Sequence, residues 1–321
     1  MYLTKLLLLA ACLLASCNLI PKGALRLTDG RPLTILTIDL FNQRPSRFSK
    51  GPSLQGDWLF RRKRLQLIDA GLIEVRPDII AFQELMEREG SPAESDRKIL
   101  SVGALDGYHW LFDETASFED TAEIEALALA FNASIVEREE SFSSELVVLG
   151  EGGKAQLATV KMGSDKVLLV NVMLPDVLDD DLDNYYLVLF NAITKKLRED
   201  GICDRRLVIG GFLPAKSVWP NYQRFLVELS LKDTAQGFCT EAERCFTESR
   251  DNQLQLSLKP SAFDRHVDRL FVHESAAVAD SRVVLNQMAV DARAEQFGLE
   301  EFWPTPRFGW QSKISLPRCR L

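Results

Sequence analysis

The sequence predicts an α/β protein in which two β-sheets form a sandwich flanked by helices. The first observation is an opening β-α-β pattern, with an apolar run at residues 33–40, helical spacing at 58–75 and a second buried run at 78–82. The second is that many short β-rich runs follow, with few and long helical segments between them. The third is an apolar content of 46% and a charged content of 26%, which suffices for a full hydrophobic core.

The later elements are assigned from hydrophobic spacing and flanking turn residues. Pro77 ends the first helix, because proline cannot continue a helix. Further helices are predicted at residues 93–102, 182–198 and 219–229. Further strands are predicted at residues 108–112, 126–131, 145–149, 155–161, 167–173, 206–210, 267–272, 281–285 and 310–316. No linker divides the chain, so residues 32–321 are predicted to form one domain.

The N-terminus has the pattern of an exported bacterial lipoprotein precursor. An apolar stretch at residues 6–14 follows Lys5 and is too short to span a bilayer. Leu-Ala-Ser-Cys, ending at Cys17, resembles a lipobox, in which the cysteine thiol is acylated and then becomes the new N-terminus. A signal peptide at residues 1–16 and a tether at 17–31 are therefore expected. The alternative is an ordinary cleaved signal followed by an accidental cysteine.

The anchor also predicts a location. Asn18 follows Cys17 at the position where an inner-membrane retention signal places Asp. A lipid anchor makes the membrane a partner without burying any of the fold in lipid. The predicted location is the bacterial cell envelope, with the outer membrane favoured over the inner one.

The charge balance argues against nucleic acid as a partner. The formal net charge is -8 and the sequence pI is about 5.2, whereas proteins held by phosphate contacts usually present a basic face. The basic group at residues 61–64 is predicted to be a solvated helix start.

The cysteines fall into two groups. Cys12 leaves with the signal peptide and Cys17 carries the lipid. An even set of four remains in an oxidising compartment, where disulfides are expected: Cys203, Cys239, Cys245 and Cys319. Cys239 and Cys245 enclose a short hydrophilic loop and form the natural pair, which leaves Cys203 for Cys319. No His lies at ligand spacing from these residues, so a metal site there is not predicted.

Residues 77–84, Pro-Asp-Ile-Ile-Ala-Phe-Gln-Glu, follow the first predicted strand and helix. They resemble the PDIIALQE signature of the endonuclease/exonuclease/phosphatase family, which includes deoxyribonucleases, sphingomyelinases and inositol phosphatases. The resemblance continues in order through LTILTIDL, VLLVNVML, LVIGGFLP and HVDRLFV to a closing strand near Trp310. It covers nearly all of the mature chain, and it implies that family's two-sheet fold and its reaction, the hydrolysis of phosphoesters.

The resemblance also implies roles for particular residues. In the family a divalent metal binds the phosphate oxygens and a His handles a proton. Glu84 matches the metal-binding Glu, and Asp268 matches the Asp of the R-I-D-Y-I segment, with His266 in place of the Arg. Carboxylates suit a hard cation such as Mg²⁺, which is the cofactor expected if any activity remains.

Other family positions hold different residue types. Asp39 replaces an Asn that helps to hold metal and phosphate, and Met173 replaces the His of the N-x-H-L strand. Gly211 and Leu213 replace the Asp and Asn of the G-D-F-N turn. Residues 308–310, Phe-Gly-Trp, stand at the final S-D-H, whose Asp-His pair activates water. Apolar side chains cannot move a proton or stabilise a phosphoryl oxygen, so the family reaction is predicted to be disabled.

Two functions remain open. The first is a noncatalytic binding or scaffold module, with no assigned catalytic residue or cofactor and a protein or small-molecule ligand at the former active site. The second is a divergent metal-dependent phosphoesterase that keeps Glu84 and Asp268 and recruits Asp39 or His266 for catalysis. The first predicts an apolar surface at the site mouth and the second a polar cleft. The residues of the predicted apolar surface are Met173, Phe212, Leu213 and Trp310.

The histidines are the remaining candidates for chemistry. Asp264, His266 and Asp268 alternate in sequence and could form a metal site with Glu84, but a solvated strand start explains the spacing and is favoured. His109 and His273 have no recognisable nucleophile motif and are predicted to be structural.

Overall fold

The computed structural model describes residues 32–40, 57–88, 95–118, 123–135, 142–162, 165–175, 180–239, 245–247, 265–286 and 308–319. Within them lie four α-helices, which are α1 Asp57–Val75, α2 Asp96–Ser101, α3 Leu182–Asp200 and α4 Pro220–Glu228. The same ranges contain the strands β1 Leu33–Asp39, β2 Ile79–Arg88, β3 Tyr108–Phe118, β4 Glu123–Asn132, β5 Phe142–Gly150, β6 Gly153–Met162, β7 Asp165–Met173, β8 Leu207–Phe212, β9 Leu231–Asp233, β10 Asp268–His273, β11 Ala277–Val284 and β12 Gly309–Ser315.

The strands form two sheets of six. One sheet has the order β11-β12-β1-β2-β4-β3 and the other has the order β5-β6-β7-β8-β10-β9. Each sheet has one parallel pair at its centre, β1 with β2 and β7 with β8, and the neighbouring strands are antiparallel. A parallel pair needs a crossover connection, which α1 supplies in the first sheet and α3 in the second.

The hydrophobic core has three parts because both faces of each sheet are covered. The middle part lies between the sheets and includes Ile35, Leu169 and Trp310. A second part packs the first sheet against α1 and α2, and a third packs the other sheet against α3 and α4. This explains why β1 and β7 are almost continuously buried, since a strand covered on both faces reads as an apolar run.

The predicted two-sheet sandwich is confirmed, and every predicted strand and helix has a counterpart. Strand β9 was not predicted, since it has only three residues at the edge of its sheet. One detail was wrong: Arg64 is only 4% exposed and is not part of a solvated helix start. Among the described residues no helix combines the length and apolarity needed to cross a membrane.

Both predicted disulfides are present. Cys203 is bonded to Cys319 and Cys239 to Cys245, with Cα atoms 6.1 and 5.6 Å apart. The first ties the C-terminal segment to the loop before β8, and the second closes a small loop after β9.

Candidate functional site

The candidate site lies at the end of the sandwich where β1, β7 and β8 finish, which we call the site end. Asp39 is the last residue of β1 and pairs with Gln83 of β2. Glu84 follows at a β-bulge between Phe82 and Leu85, with a positive φ of 51°. Such a backbone conformation is unusual for a residue other than glycine and is typical of positions that a fold holds for a function.

A row of three side chains crosses the second sheet at this end. Met173 of β7 pairs with Phe212 of β8, which in turn pairs with Asp268 of β10. All three are buried, and the Asp268 side chain has no exposure to solvent. Met173, which is predicted to stand at the family's histidine position, is therefore a buried residue.

Gly211 fixes the backbone next to this row. Its φ is 145°, and a Cβ built on it would overlap the carbonyl oxygen of Val172 and lie 2.7 Å from the Val172 amide nitrogen. No side chain fits there while Gly211 keeps this backbone conformation. The positive φ therefore favours glycine at the position that the resemblance assigns to an Asp.

Trp310 fills the space at the start of β12. Its ring is fully buried, and its Nε1 donates a hydrogen bond of 3.0 Å to Thr234 Oγ1. His266 packs edge-on against this ring, with 4.6 Å between the ring centroids. The position predicted to have lost the family's histidine therefore holds an indole that is part of the core.

A charged cluster surrounds Asp233 beside this indole. Its Oδ2 accepts a hydrogen bond of 2.7 Å from Arg269 and lies 3.7 Å from His266 Nε2. Burial by itself raises the pKa of the Asp233 carboxyl, but His266 and Arg269 outweigh it and hold that pKa below its ordinary value. The ion pair between Asp233 and Arg269 therefore links β9 to β10.

A buried polar network joins the two sheets behind Glu84. The amide nitrogen of Gln83 donates to Asn171 Oδ1 at 2.6 Å, and Asn171 Nδ2 donates to the carbonyl oxygens of Phe82 and Ala128 at 2.8 and 3.1 Å. Gln156 continues the network towards the sheet edge. The prediction missed this feature, although an Asn and a Gln inside apolar strands were a usable signal, because buried amides need partners.

The predicted apolar surface at the site mouth is wrong. Met173 is 8% exposed and Phe212, Leu213 and Trp310 are at most 1% exposed, so all four belong to the core. Leu213 packs with the helices on the outer face of its sheet. The replacements extended the core, because apolar side chains at the end of a sandwich are more stable when they are packed.

The described residues do not assemble a metal centre of three ligands. Within these ranges no group of three His, Cys, Asp or Glu side chains is placed to hold a metal ion. Asp39, Glu84 and Asp268 therefore do not form such a group. Each of these three residues has an interaction partner. Their oxygen donors suit Mg²⁺ in chemistry, but the three are not grouped as a metal centre in the described part of the chain, so we derive no step through a metal.

Some predicted residues lie elsewhere. Cys17 and Asp264 lie outside the described residues. His266 precedes β10 and is not on a strand, so the proposed alternation along one strand does not hold. His109 lies on β3, and His273 contacts Ser275 through Nδ1 at 2.7 Å.

A separate groove of about 230 Å³ lies between α1 and the end of β11. Its lining combines one face of the helix, including Gly71 and Glu74, with residues from Arg282 to Asn286. It contains none of the predicted site residues.

The two helix-covered sheets have the endonuclease/exonuclease/phosphatase fold. A protein of that family from Bacteroides thetaiotaomicron matches with a TM-score of 0.61 and 15% identity, covering 89% of this chain and 98% of that one. The mannosyl-6-phosphatase of the same organism matches with a TM-score of 0.60 and 16% identity over 88% and 99% of the two chains. TDP2 of D. rerio, complexed with a single-strand DNA product, matches with a TM-score of 0.57 and 12% identity over 88% and 98%.

At these identities the likeness shows the fold alone. No protein-family model and no curated protein sequence matches this chain.

Proposed function

We propose that the protein is a noncatalytic binding or scaffold module with the endonuclease/exonuclease/phosphatase fold, held at the membrane by a lipid on Cys17. The observation that carries this proposal is the backbone at Gly211. With a φ of 145° a Cβ there would overlap the Val172 carbonyl oxygen, so this conformation leaves no room for a side chain at the position that the resemblance assigns to a catalytic Asp.

The buried replacements support the same conclusion. Met173 and Trp310 occupy family positions of proton transfer and phosphate contact, and both are packed in the core. Several cooperating groups are absent at once, and loss of such groups leaves little catalysis beyond that of binding. Because the four residues first predicted to form the binding surface are buried, our proposal assigns that surface to another part of the protein.

The anchor and the location belong to this proposal. The apolar stretch before Cys17 supports a protein in the bacterial cell envelope with the membrane as its first partner, and Asn18 after Cys17 favours the outer membrane. A protein or a small molecule is the second partner, and nucleic acid is disfavoured by the charge.

The decisive experiment uses the mature chain with Cys17→Ser, purified with Mg²⁺ or Mn²⁺ and assayed on phosphomonoester, phosphodiester and DNA substrates. The mannosyl-6-phosphatase of B. thetaiotaomicron serves as the active control on a phosphomonoester. We expect the mature chain to show no more turnover than its Glu84→Ala variant. An unfolding curve of that variant checks that it is folded. Turnover that disappears in that variant would overturn the proposal.

One observation favours a second candidate, a divergent metal-dependent phosphoesterase that uses Glu84 and Asp268. Glu84 keeps a strained backbone at a β-bulge and Asp268 is fully buried at the same end of the sandwich. Metal titration followed by calorimetry separates the two: the enzyme requires stoichiometric Mg²⁺ or Mn²⁺ binding that both Glu84→Ala and Asp268→Ala abolish.

The anchor has its own test, which does not depend on activity. The full chain is expressed in a bacterium fed a labelled fatty acid, and the membranes are fractionated. We expect the wild-type protein to carry the label and to be found in the outer-membrane fraction. We expect the Cys17→Ser protein to carry no label. A labelled Cys17→Ser protein would show that the lipid is elsewhere.

A further inference from the structure

Three residues, Cys245, Phe246 and Thr247, form a strap across the site end. Thr247 Oγ1 accepts hydrogen bonds from the backbone amides of Val267 and Asp268, at 3.1 and 3.0 Å. The Thr247 carbonyl oxygen accepts from the Phe308 amide at 2.7 Å. The strap therefore joins the approach to β10 with the residue before β12.

The strap also orients the histidine of the site end. The Cys245 carbonyl oxygen lies 3.1 Å from His266 Nδ1. A carbonyl can only accept, so Nδ1 carries the hydrogen in this contact. Because His266 also packs on Trp310, its ring is held between the strap and the core.

The disulfide connects the strap to a rigid part of the fold. Cys239 ends a tight turn in which the Cys239 amide donates to the Ala235 carbonyl at 3.1 Å and the Ala235 amide donates to Asp233 Oδ1 at 2.9 Å. The Thr234 amide of the same turn donates to the Leu270 carbonyl at 2.8 Å, which fixes the turn to β10. The bond between Cys239 and Cys245 transfers this rigidity to the strap.

We propose that the Cys239–Cys245 disulfide is a redox-controlled latch on the strap. In the oxidised protein the strap fixes the backbone of Asp268 and covers His266. Exchange with a dithiol breaks the sulfur–sulfur bond, leaves two thiols on the protein and oxidises the dithiol to its own disulfide. Among the described residues the strap is then held by individually weak hydrogen bonds and by the packing of Cys245 on the middle core, so it opens and exposes His266. This inference concerns the latch alone and holds for either function of the site.

The experiment compares Cys239→Ser/Cys245→Ser with Cys203→Ser/Cys319→Ser, the matched removal of the other disulfide. Hydrogen exchange is followed at the amides of Val267, Asp268 and Phe308. Diethyl pyrocarbonate modification of His266 is mapped by mass spectrometry against His109 and His273. We expect the first variant to accelerate all three amides and His266 modification about tenfold or more, since local opening governs both.

The second variant and a third one keep the proposal falsifiable. In Cys203→Ser/Cys319→Ser only the latch disulfide remains. Adding a dithiol to this variant should therefore accelerate hydrogen exchange at the same three amides and modification of His266, and this test does not require the first variant to fold. Thr247→Val keeps the latch and should release the Val267 and Asp268 amides while leaving His266 protected. The proposal is overturned if latch removal changes none of these readouts, if all three histidines respond equally, or if Thr247→Val exposes His266 more than latch removal does.

Discussion

Gly211 of β8 lies beside Val172 of β7 with a φ of 145°, so that a Cβ on Gly211 would overlap the Val172 carbonyl oxygen. The two residues pair across the central parallel strands of the second sheet. An Asp at this position would need a different backbone conformation. The main chain at the site end is therefore specific for glycine at residue 211.

We predict that Gly211→Ala lowers the free energy of unfolding by at least about 3 kcal/mol, because the new Cβ must displace backbone. Urea unfolding of the mature chain measures the loss. The matched control is Gly201→Ala: Gly201 also has a positive φ, 63°, but a Cβ there meets nothing within 4 Å. That variant should lose only about 1 to 2 kcal/mol, the cost of the left-handed conformation. Equal losses would mean that β7 and β8 separate easily.

We predict that Asn171→Leu costs about 2 to 4 kcal/mol, because it removes the acceptor of the 2.6 Å bond from Gln83 and the donor to two backbone carbonyls, all of them buried. Gln83→Leu should cost a similar amount. The double variant should lose clearly less stability than the two single losses added together. In each single variant the remaining amide has lost its partner, whereas in the double variant both amides are absent. Additive losses in a double-mutant cycle measured by urea unfolding would show that the two amides act separately.

We predict an acid-sensitive contribution from Asp233. Its folded-state pKa lies below the ordinary value of 3.8, so its stabilisation is complete above that value and is lost as the pH falls through the folded-state pKa. Asp233→Asn should cost about 1.5 to 3 kcal/mol at pH 7, because Arg269 loses a charged partner. The variant's stability should fall less steeply than that of the wild type below pH 3.8.

Stability against pH, measured by thermal unfolding, checks this prediction. Asp280→Asn is the control, since Asp280 is an exposed partner 3.9 Å from Arg282 and should contribute little. Parallel acid limbs for the wild type and Asp233→Asn would contradict the assignment.

We predict that the two disulfides stabilise the fold unequally. They close loops with sequence separations of 116 and 6 residues. Restriction of the unfolded chain gives about 5 kcal/mol for the long loop and about 2 kcal/mol for the short one. Urea unfolding of the two double Ser variants measures the difference. A larger loss for the short loop would mean that the chain-entropy account fails here and that native contacts of the strap dominate.

The fold was predictable because its signals are local. A β-α-β opening, the helix end at Pro77 and the apolar runs of β7 and β8 each follow from a few neighbouring residues. The disulfide pairing was predictable from spacing and elimination. The short strand β9 was not, because three half-buried residues become a strand only when β10 lies beside them.

The site was predictable in part. The sequence predicted that Met173, Gly211 and Trp310 replace family residues, and this remains a prediction. It did not indicate that the replacements are packed in the core, and it predicted an apolar surface that does not exist. The solvent exposure of a side chain depends on which other segments of the chain pack against it. The residue type alone does not reveal this packing.

The sequence was thus sufficient to predict the sandwich and the order of its elements, and it favoured one pairing of the cysteines. The three-dimensional structure was needed to show that the backbone at Gly211 excludes a side chain, that Gln83 and Asn171 join the sheets, and that the strap contacts His266. Each of these features depends on distances of a few ångströms between segments far apart in the chain, such as the 88 residues that separate Gln83 from Asn171.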